Sequence, residues 1–391
     1  MDTTEKTFRD LLEKVAKEQN YKEYWLRVTP VSTGGANFSS TLYKGTISAP
    51  KRDTLKVFGK VVIVSAKLRE EMGGSAFDVE RIAYTELLKI YEQIELKHNI
   101  PDEDRLVFCK YYGCNANEFE ETIILEDLTA KGFTLHDRMK SVDWPYASKA
   151  IEVLAKFHAL SMCYAEEYPD NFERHSKELS SILGKISDVY NKGLRATLPL
   201  STSVIKEENK ARFEAFFANE DKVNFEQMFT PVRKSVIMHG DYRPSNLMHR
   251  NNKDGSVDVI ALDLQTLQPC SGVIDLLYFI FMATDQEFRK QYYTKLVDHY
   301  YATLSRMLRA YGLNPDKVYS RGDFDFELKE RLHFGLVIAT FGLPIVTVES
   351  EDAPNFAEEG ASMDSFMVKT GKNLPARING VVDDFIAWGL L

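Results

Sequence analysis

The sequence predicts an α+β protein of two lobes: a small antiparallel β lobe with one main helix, then a larger, mostly helical lobe. Three observations carry this. Residues 26–67 hold short β-branched runs broken by Gly, Pro and Asp, and helical patterns dominate from about Asp143. At 391 residues the chain exceeds one typical domain and can bury a large core on both sides of a cleft. With 44% hydrophobic and 27% charged residues it is neither disordered, collagen-like nor a coiled coil.

The opening segment, MDTTEKTFRDLLEKVAKEQN, has helical patterning and lacks the apolar stretch of a signal peptide, so a cytoplasmic protein is expected. The runs LRVTPVS, TLYKGTIS and KVFGKVVIVSAKL read as hairpin strands. SAFDVERIAYTELLKIYEQIE places Phe77, Ile82, Tyr84, Leu87, Leu88 and Tyr91 near helical spacing. RLVFCKYYGC and ETIILEDL, split by the polar NANEFE, form a last hairpin ending at Glu126, Asp127 and Leu128. The boundary therefore falls between residues 1–127 and 128–391, joined by a short hinge because no Pro-rich or Ser-rich linker intervenes.

Several function classes drop out. A net charge of -9, from 58 acidic and 49 basic residues, offers no basic face for nucleic acid. The weakly charged stretches Ser271–Ala283 and Gly335–Val348 are shorter than the ~20 residues of a membrane span and are interrupted by Asp275 and Pro344, so they read as buried helices. Four cysteines without C-x-x-C spacing and eight histidines without H-E-x-x-H argue against a disulfide scaffold or a zinc hydrolase. Nothing implies a protein partner.

The chemistry concentrates in SVIMHGDYRPSNLMHRNNKDGSVDVIALDLQ. A β-branched run delivers His239, Gly240 and Asp241 into a loop, and Asn246 lies five residues beyond Asp241. Two short strands around NNKDGS follow, and Asp263 closes the second. Phosphoryl transfer wants this set, because the moving group carries its charge on oxygens and is stabilised by Mg²⁺ and by positioning. Asp241 would orient or deprotonate an attacking hydroxyl, and Asn246 and Asp263 would ligate Mg²⁺. The spacing matches the protein-kinase catalytic loop.

Upstream, Lys67 ends the strand VVIVSAK as a nucleotide-pairing lysine would, and Glu80 on the following helix could hold it. Lys56, Lys60, Glu70, Glu71 and Glu86 are the other candidates. In GGANFSS, Gly35 frees the backbone while Asn37, Ser39 and Ser40 offer donors to phosphates. Glu126 and Leu128 could present peptide groups to adenine. After Asp263 come Leu264 and Gln265 instead of Phe-Gly, and no A-P-E segment follows, which favours a small-molecule acceptor over a peptide.

H-G-D-Y-R-P-S-N with D-L-Q resembles the aminoglycoside phosphotransferase and choline kinase superfamily. With I-I-L-E-D-L, L-A-K-F-H-A-L-S and D-L-Q-T-L-Q-P-C-S-G-V-I-D-L-L-Y-F, the chain resembles more specifically the ecdysteroid kinase-like family. The resemblance implies a bilobal protein-kinase-like fold, ATP and Mg²⁺, and phosphorylation of an ecdysteroid hydroxyl, typically the 22-hydroxyl. It carries over Asp241 as catalytic base, Asn246 and Asp263 as metal ligands, and Lys67 with Glu80 as the nucleotide pair. That family often has Gly-Glu-Asn in the glycine loop, where this chain has Gly35, Ala36 and Asn37. The other readings are a kinase that detoxifies foreign hydroxylated compounds and a pseudokinase that binds nucleotide or steroid without turnover.

Overall fold

The computed structural model describes residues 2–31, 40–64, 75–352 and 369–391. The first helix, α1 (Thr3–Glu18), buries Phe8, Leu11, Leu12 and Val15 along one stripe. That stripe packs on an antiparallel sheet of β1 (Trp25–Val31), β2 (Ser40–Ala49), β3 (Arg52–Val62), β4 (Tyr111–Asn115) and β5 (Thr122–Glu126), in the order β1-β2-β3-β5-β4. Contact is closest at Gly59 of β3, where a Cβ would stand 1.9 Å from the Phe8 ring. This fixes the facing of β3. Because strand side chains alternate, Val57 and Val61 join the cluster under α1 while Lys60 and Val62 point to the opposite side, toward the rest of the chain.

Helix α2 runs as Ala76–Ile82, a π-helical stretch Ala83–Leu87 and Leu88–Lys97. Ser75 caps it, accepting the Asp78 N–H at 3.3 Å, and the first segment buries Phe77, Val79, Glu80 and Ile82. Farther along, Glu95 is buried and accepts the Leu106 N–H at 2.8 Å. Burial pushes its carboxyl up to about 7, partly offset by that bond and by Arg105 and Lys156. A carboxyl that titrates higher in the folded state than in the unfolded chain destabilises the fold progressively as pH rises from its ordinary value toward 7. Glu95→Gln keeps the acceptor and removes the charge. It is therefore expected to raise the thermal midpoint by a few degrees at pH 8 and to change it little near pH 4, as scanning calorimetry would show.

Beyond β5, Asp127 caps the turn Leu128–Lys131, accepting the Thr129 N–H at 3.0 Å. Helices then dominate: α3 (Trp144–Glu167), α4 (Pro169–Ile182), α5 (Ile186–Ser203) and α6 (Glu207–Phe217). Two small antiparallel units interrupt them. β6 (Thr134–Leu135) flanks the hairpin of β8 (Leu247–Asn251) and β9 (Val257–Ala261), and β7 (Val236–Met238) pairs with β10 (Gln268–Cys270). The β8–β9 hairpin turns through Asn252 and Gly255, the latter at φ 85°, as NNKDGS predicts.

The chain continues through α7 (Gly272–Ala283), α8 (Gln286–Ala310), α9 (Arg321–Arg331), α10 (His333–Val346) and α11 (Leu374–Ala387). The two weakly charged stretches of the sequence are α7, buried along its whole length, and α10, buried over most of it. Among the described residues no helix is long and apolar enough to cross a membrane. The four cysteines are free thiols. The architecture is α+β, with a small antiparallel sheet and many helices.

Candidate active site

β7 ends at Met238 and delivers His239, Gly240 and Asp241 into a buried loop. Asp275, in the first turn of α7 and wholly buried, holds that loop: its two oxygens accept the N–H groups of His239 at 2.6 Å and Gly240 at 2.8 Å. His158 of α3 bonds Asp275 through Nε2 at 3.1 Å and meets the Tyr300 hydroxyl through Nδ1 at 2.7 Å. Gly240 sits at φ 83°, and a Cβ there would lie 2.4 Å from the Thr266 carbonyl oxygen, so glycine is required on both counts. The His239 ring is the neutral Nε2–H tautomer by its partners: Nε2 donates to the Leu262 carbonyl at 2.9 Å and Nδ1 accepts the Asp241 N–H at 3.3 Å. It braces the loop against the strand end that presents Asp263.

The Asp241 carboxylate is encircled. Oδ1 accepts from Arg243 Nε at 2.8 Å and from the Tyr278 hydroxyl at 2.7 Å, and Oδ2 accepts from Asn246 Nδ2 at 2.7 Å. Burial alone would raise its pKa, but the charge and hydrogen bond of Arg243 and the Tyr278 bond outweigh this and hold the carboxyl below its ordinary value of 3.8. The five-residue spacing is realised as Arg243 followed by a 3₁₀ turn at Pro244–Asn246. Asn246 commits its NH₂ to Asp241, leaving its carbonyl oxygen as the end suited to a cation.

Asp263 lies just past β9 in the left-handed region, at φ 61° and ψ 61°, which Asp tolerates better than most side chains. Its Oδ1 accepts Lys60 Nζ at 2.5 Å and its Oδ2 accepts Gln265 Nε2 at 3.2 Å. Lys60 also reaches Glu80 Oε2 at 3.1 Å and Gln265 Oε1 at 3.1 Å. Burial opposes the ammonium charge, yet Asp263 and Glu80 together raise Lys60 above its ordinary pKa, so it is a fixed cation. Burial pushes Glu80 up, and Lys60 pulls it back.

Of the residues singled out in the sequence, Asp241, Asn246 and Asp263 occupy one end of the β8–β9 hairpin, and Glu80 joins them through Lys60. Lys67, Gly35, Asn37 and Ser39 lie outside the described residues. The lysine on Glu80 is Lys60, seven residues earlier than the one the V-A-I-K analogy selects. Its distinguishing sign is a mid-strand position in KVFGKVV, on the face opposite the α1 contact. At the hinge, the N–H groups of Glu126 and Asp127 are spent on the Lys110 and Lys56 carbonyls at 2.8 and 3.3 Å, so Glu126 does not offer its donor to a base. The Leu128 carbonyl accepts the Phe133 N–H at 3.2 Å. Arg243, Gln265, Asp275, Tyr278 and His158 lie within quoted motifs, but sequence reasoning gave them no role.

The Lys60 ammonium held by Asp263 and Glu80, and the half-buried Asp241 carboxylate on the adjoining loop, lie in a phosphotransferase that acts on hydroxyl groups. The chain belongs to the ecdysteroid kinase-like family, whose profile matches residues 34–313. Among solved structures it resembles a microcompartment-associated aminopropanol kinase (10% identity, 98% of this chain and 99% of that one, TM-score 0.41). It also resembles a glucosamine kinase (13%, 95% and 82%, 0.37) and the GDP complex of wild-type aminoglycoside 2'-phosphotransferase-IIIa (11%, 85% and 98%, 0.38). A search of curated proteins found no match.

Proposed function

We propose that the protein transfers the γ-phosphoryl group of ATP to a hydroxyl of an ecdysteroid, with the 22-hydroxyl as the preferred acceptor, in the cytoplasm. The observation that carries this reading is the pair of hydrogen-bonded couples Asp241–Asn246 and Asp263–Lys60 at one end of the same hairpin, in a chain of this family. Residues 1–127 serve as the nucleotide-binding lobe and residues 128–391 as the catalytic and acceptor lobe. Lys60, held by Glu80, pairs with the phosphates, a role the sequence analogy gives to Lys67. Asn246 and Asp263 supply hard oxygen ligands that fit Mg²⁺. Bound there, Mg²⁺ would neutralise charge on the β and γ phosphates.

In the transfer, the acceptor oxygen forms a bond to the γ-phosphorus as the bond to the β–γ bridging oxygen breaks and ADP leaves. Asp241 orients the hydroxyl and receives its proton late, when the oxygen has become acidic, then releases it to solvent. A carboxylate held below its ordinary pKa is a weak base, which suits this order of events.

The pH dependence follows. The active form is the carboxylate, and a lowered pKa keeps it ionised further into acid, so kcat is expected to show no acid limb from Asp241 between pH 8 and 5. Arg243→Met removes the dominant lowering influence and is expected to bring an acid limb up into the measurable range. A profile of kcat against pH for both proteins checks this.

The acceptor is tested by incubating the protein with ATP, Mg²⁺ and a panel of ecdysteroids, phenols and glycosides, with mass spectrometry of the products. Phosphate adducts of the 22-hydroxylated ecdysteroids are expected. Adducts on phenols or glycosides alone would replace this reading with detoxification, and no adduct on any alcohol would leave a pseudokinase.

A further inference from the structure

Away from the catalytic loop, the end of α2 meets the end of α3 through three side chains of the kinds that bind transition metals. His98 caps α2, and Cys163 and Glu167 lie four residues apart on α3, hence on one face of that helix. Their ligating atoms, an imidazole nitrogen, a sulfur and a carboxylate oxygen, all lie within 4.8 Å of one another. His98 Nε2 meets Glu167 Oε1 at 2.7 Å, and Lys97 Nζ donates to Glu167 Oε2 at 2.9 Å. That pairing alone would be an ordinary ion pair between helices. Cys163 adds to it a fully buried thiol one turn before Glu167, while the His98 and Glu167 side chains stay 19% and 17% exposed. The cluster therefore has sulfur at its base and two side chains that reach solvent.

We infer that His98, Cys163 and Glu167 form a Zn²⁺ site that fastens α2 to α3, with water as the fourth ligand. Imidazole, thiolate and carboxylate together suit Zn²⁺ and disfavour Mg²⁺ and Ca²⁺, which take oxygen ligands. The charges balance, because one thiolate and one carboxylate cancel the dication. Lys97 keeps its bond to the second oxygen of Glu167 and so orients that carboxylate. The His98 ring is set edge-on against Tyr311, with centroids 5.8 Å apart. Ligand atoms around one tetrahedral Zn²⁺ stand about 3.2–3.7 Å apart, so side-chain shifts of about 1 Å bring these three onto one ion. His98 binds through the Nε2 lone pair, with its ring proton on Nδ1, and the Cys163 sulfur exchanges its proton, lost to solvent, for the metal. Burial and Glu167, opposed by Lys97 and joined by Glu166, push the free thiol up to about 12, so thiolate forms only as the ion arrives. α2 carries Glu80, which holds Lys60, and α3 carries His158, which braces Asp275. The ion would join these two helices.

The probe is Co²⁺, which occupies zinc sites and reports a thiolate ligand by a near-ultraviolet charge-transfer band that oxygen ligands do not give. With the full-length protein in excess Mg²⁺, which fills hard oxygen sites, Co²⁺ is expected to develop this band to one equivalent, and Zn²⁺ to abolish it. Zn²⁺ is also expected to raise the thermal midpoint. Cys163→Ser is expected to lose the band, and Cys114→Ser, which alters a partly exposed thiol elsewhere, to keep it. His98→Gln leaves the buried sulfur in place, so it keeps the test decisive if Cys163→Ser folds poorly. It is expected to weaken Co²⁺ at least about tenfold, since even groups behind a ligand are worth that much. The inference is overturned if Co²⁺ gives no thiolate band in the wild type, if the band survives Cys163→Ser, or if His98→Gln binds Co²⁺ as the wild type does.

Discussion

Asp241→Asn is expected to lower kcat by about 10²–10⁴-fold while changing the KM for ATP only a few-fold. Asparagine keeps the shape and can still accept from Tyr278 at 2.7 Å, so the loop is retained. It cannot take a proton, and it removes the negative charge that Arg243 Nε meets at 2.8 Å. The nucleotide contacts we propose lie on the Lys60 and Asp263 side, apart from this carboxylate, so the loss should fall on turnover. Steady-state kinetics, with a nucleotide-binding titration as a folding control, separates the two. An Asn variant as active as the parent would remove Asp241 from the chemistry.

Lys60→Met is expected to lower kcat/KM for ATP by about 100-fold or more, and Lys67→Ala by less than about threefold. The ammonium of Lys60 is fixed by Asp263 at 2.5 Å and Glu80 at 3.1 Å, so its loss takes away the cation nearest the proposed phosphate and metal site. It also strands Glu80, which is 2% exposed, without its cation, a change that costs about 3–5 kcal/mol when one partner of a buried pair is removed. Activity loss could then reflect unfolding. Lys60→Met with Glu80→Gln removes both charges and should recover most of the stability while leaving turnover low. Calorimetry beside the kinetics checks that split, and a double variant that regains activity would contradict the assignment.

Local chemistry made much of this legible. Five-residue spacing between Asp241 and Asn246 and the NNKDGS turn are short-range features, and the structure draws them as a 3₁₀ turn and a two-stranded hairpin. The weakly charged apolar runs became α7 and α10, the second with Pro344 inside it. What escaped depends on long-range packing. That Lys60 faces Glu80 and Asp263 requires knowing that α1 covers the other face of β3 through Phe8 and Gly59. Asp275 looked like an interruption in an apolar stretch. Its role appears only when α7 is set beneath the His239–Gly240 peptide groups, 35 residues earlier in the chain. The N–H groups of Glu126 and Asp127 are likewise committed by pairing across the sheet, to the Lys110 and Lys56 carbonyls.

The central claim, phosphoryl transfer to a steroid hydroxyl, is tested most directly by ³¹P NMR of the wild-type protein with ATP, Mg²⁺ and a matched pair of ecdysteroids, one 22-hydroxylated and one 22-deoxy. ADP and a new phosphate monoester resonance, coupled to a single carbinol proton, are expected with the hydroxylated compound and not with the deoxy compound. Inorganic phosphate alone, no change in ATP, or an ester formed equally with both compounds would contradict it.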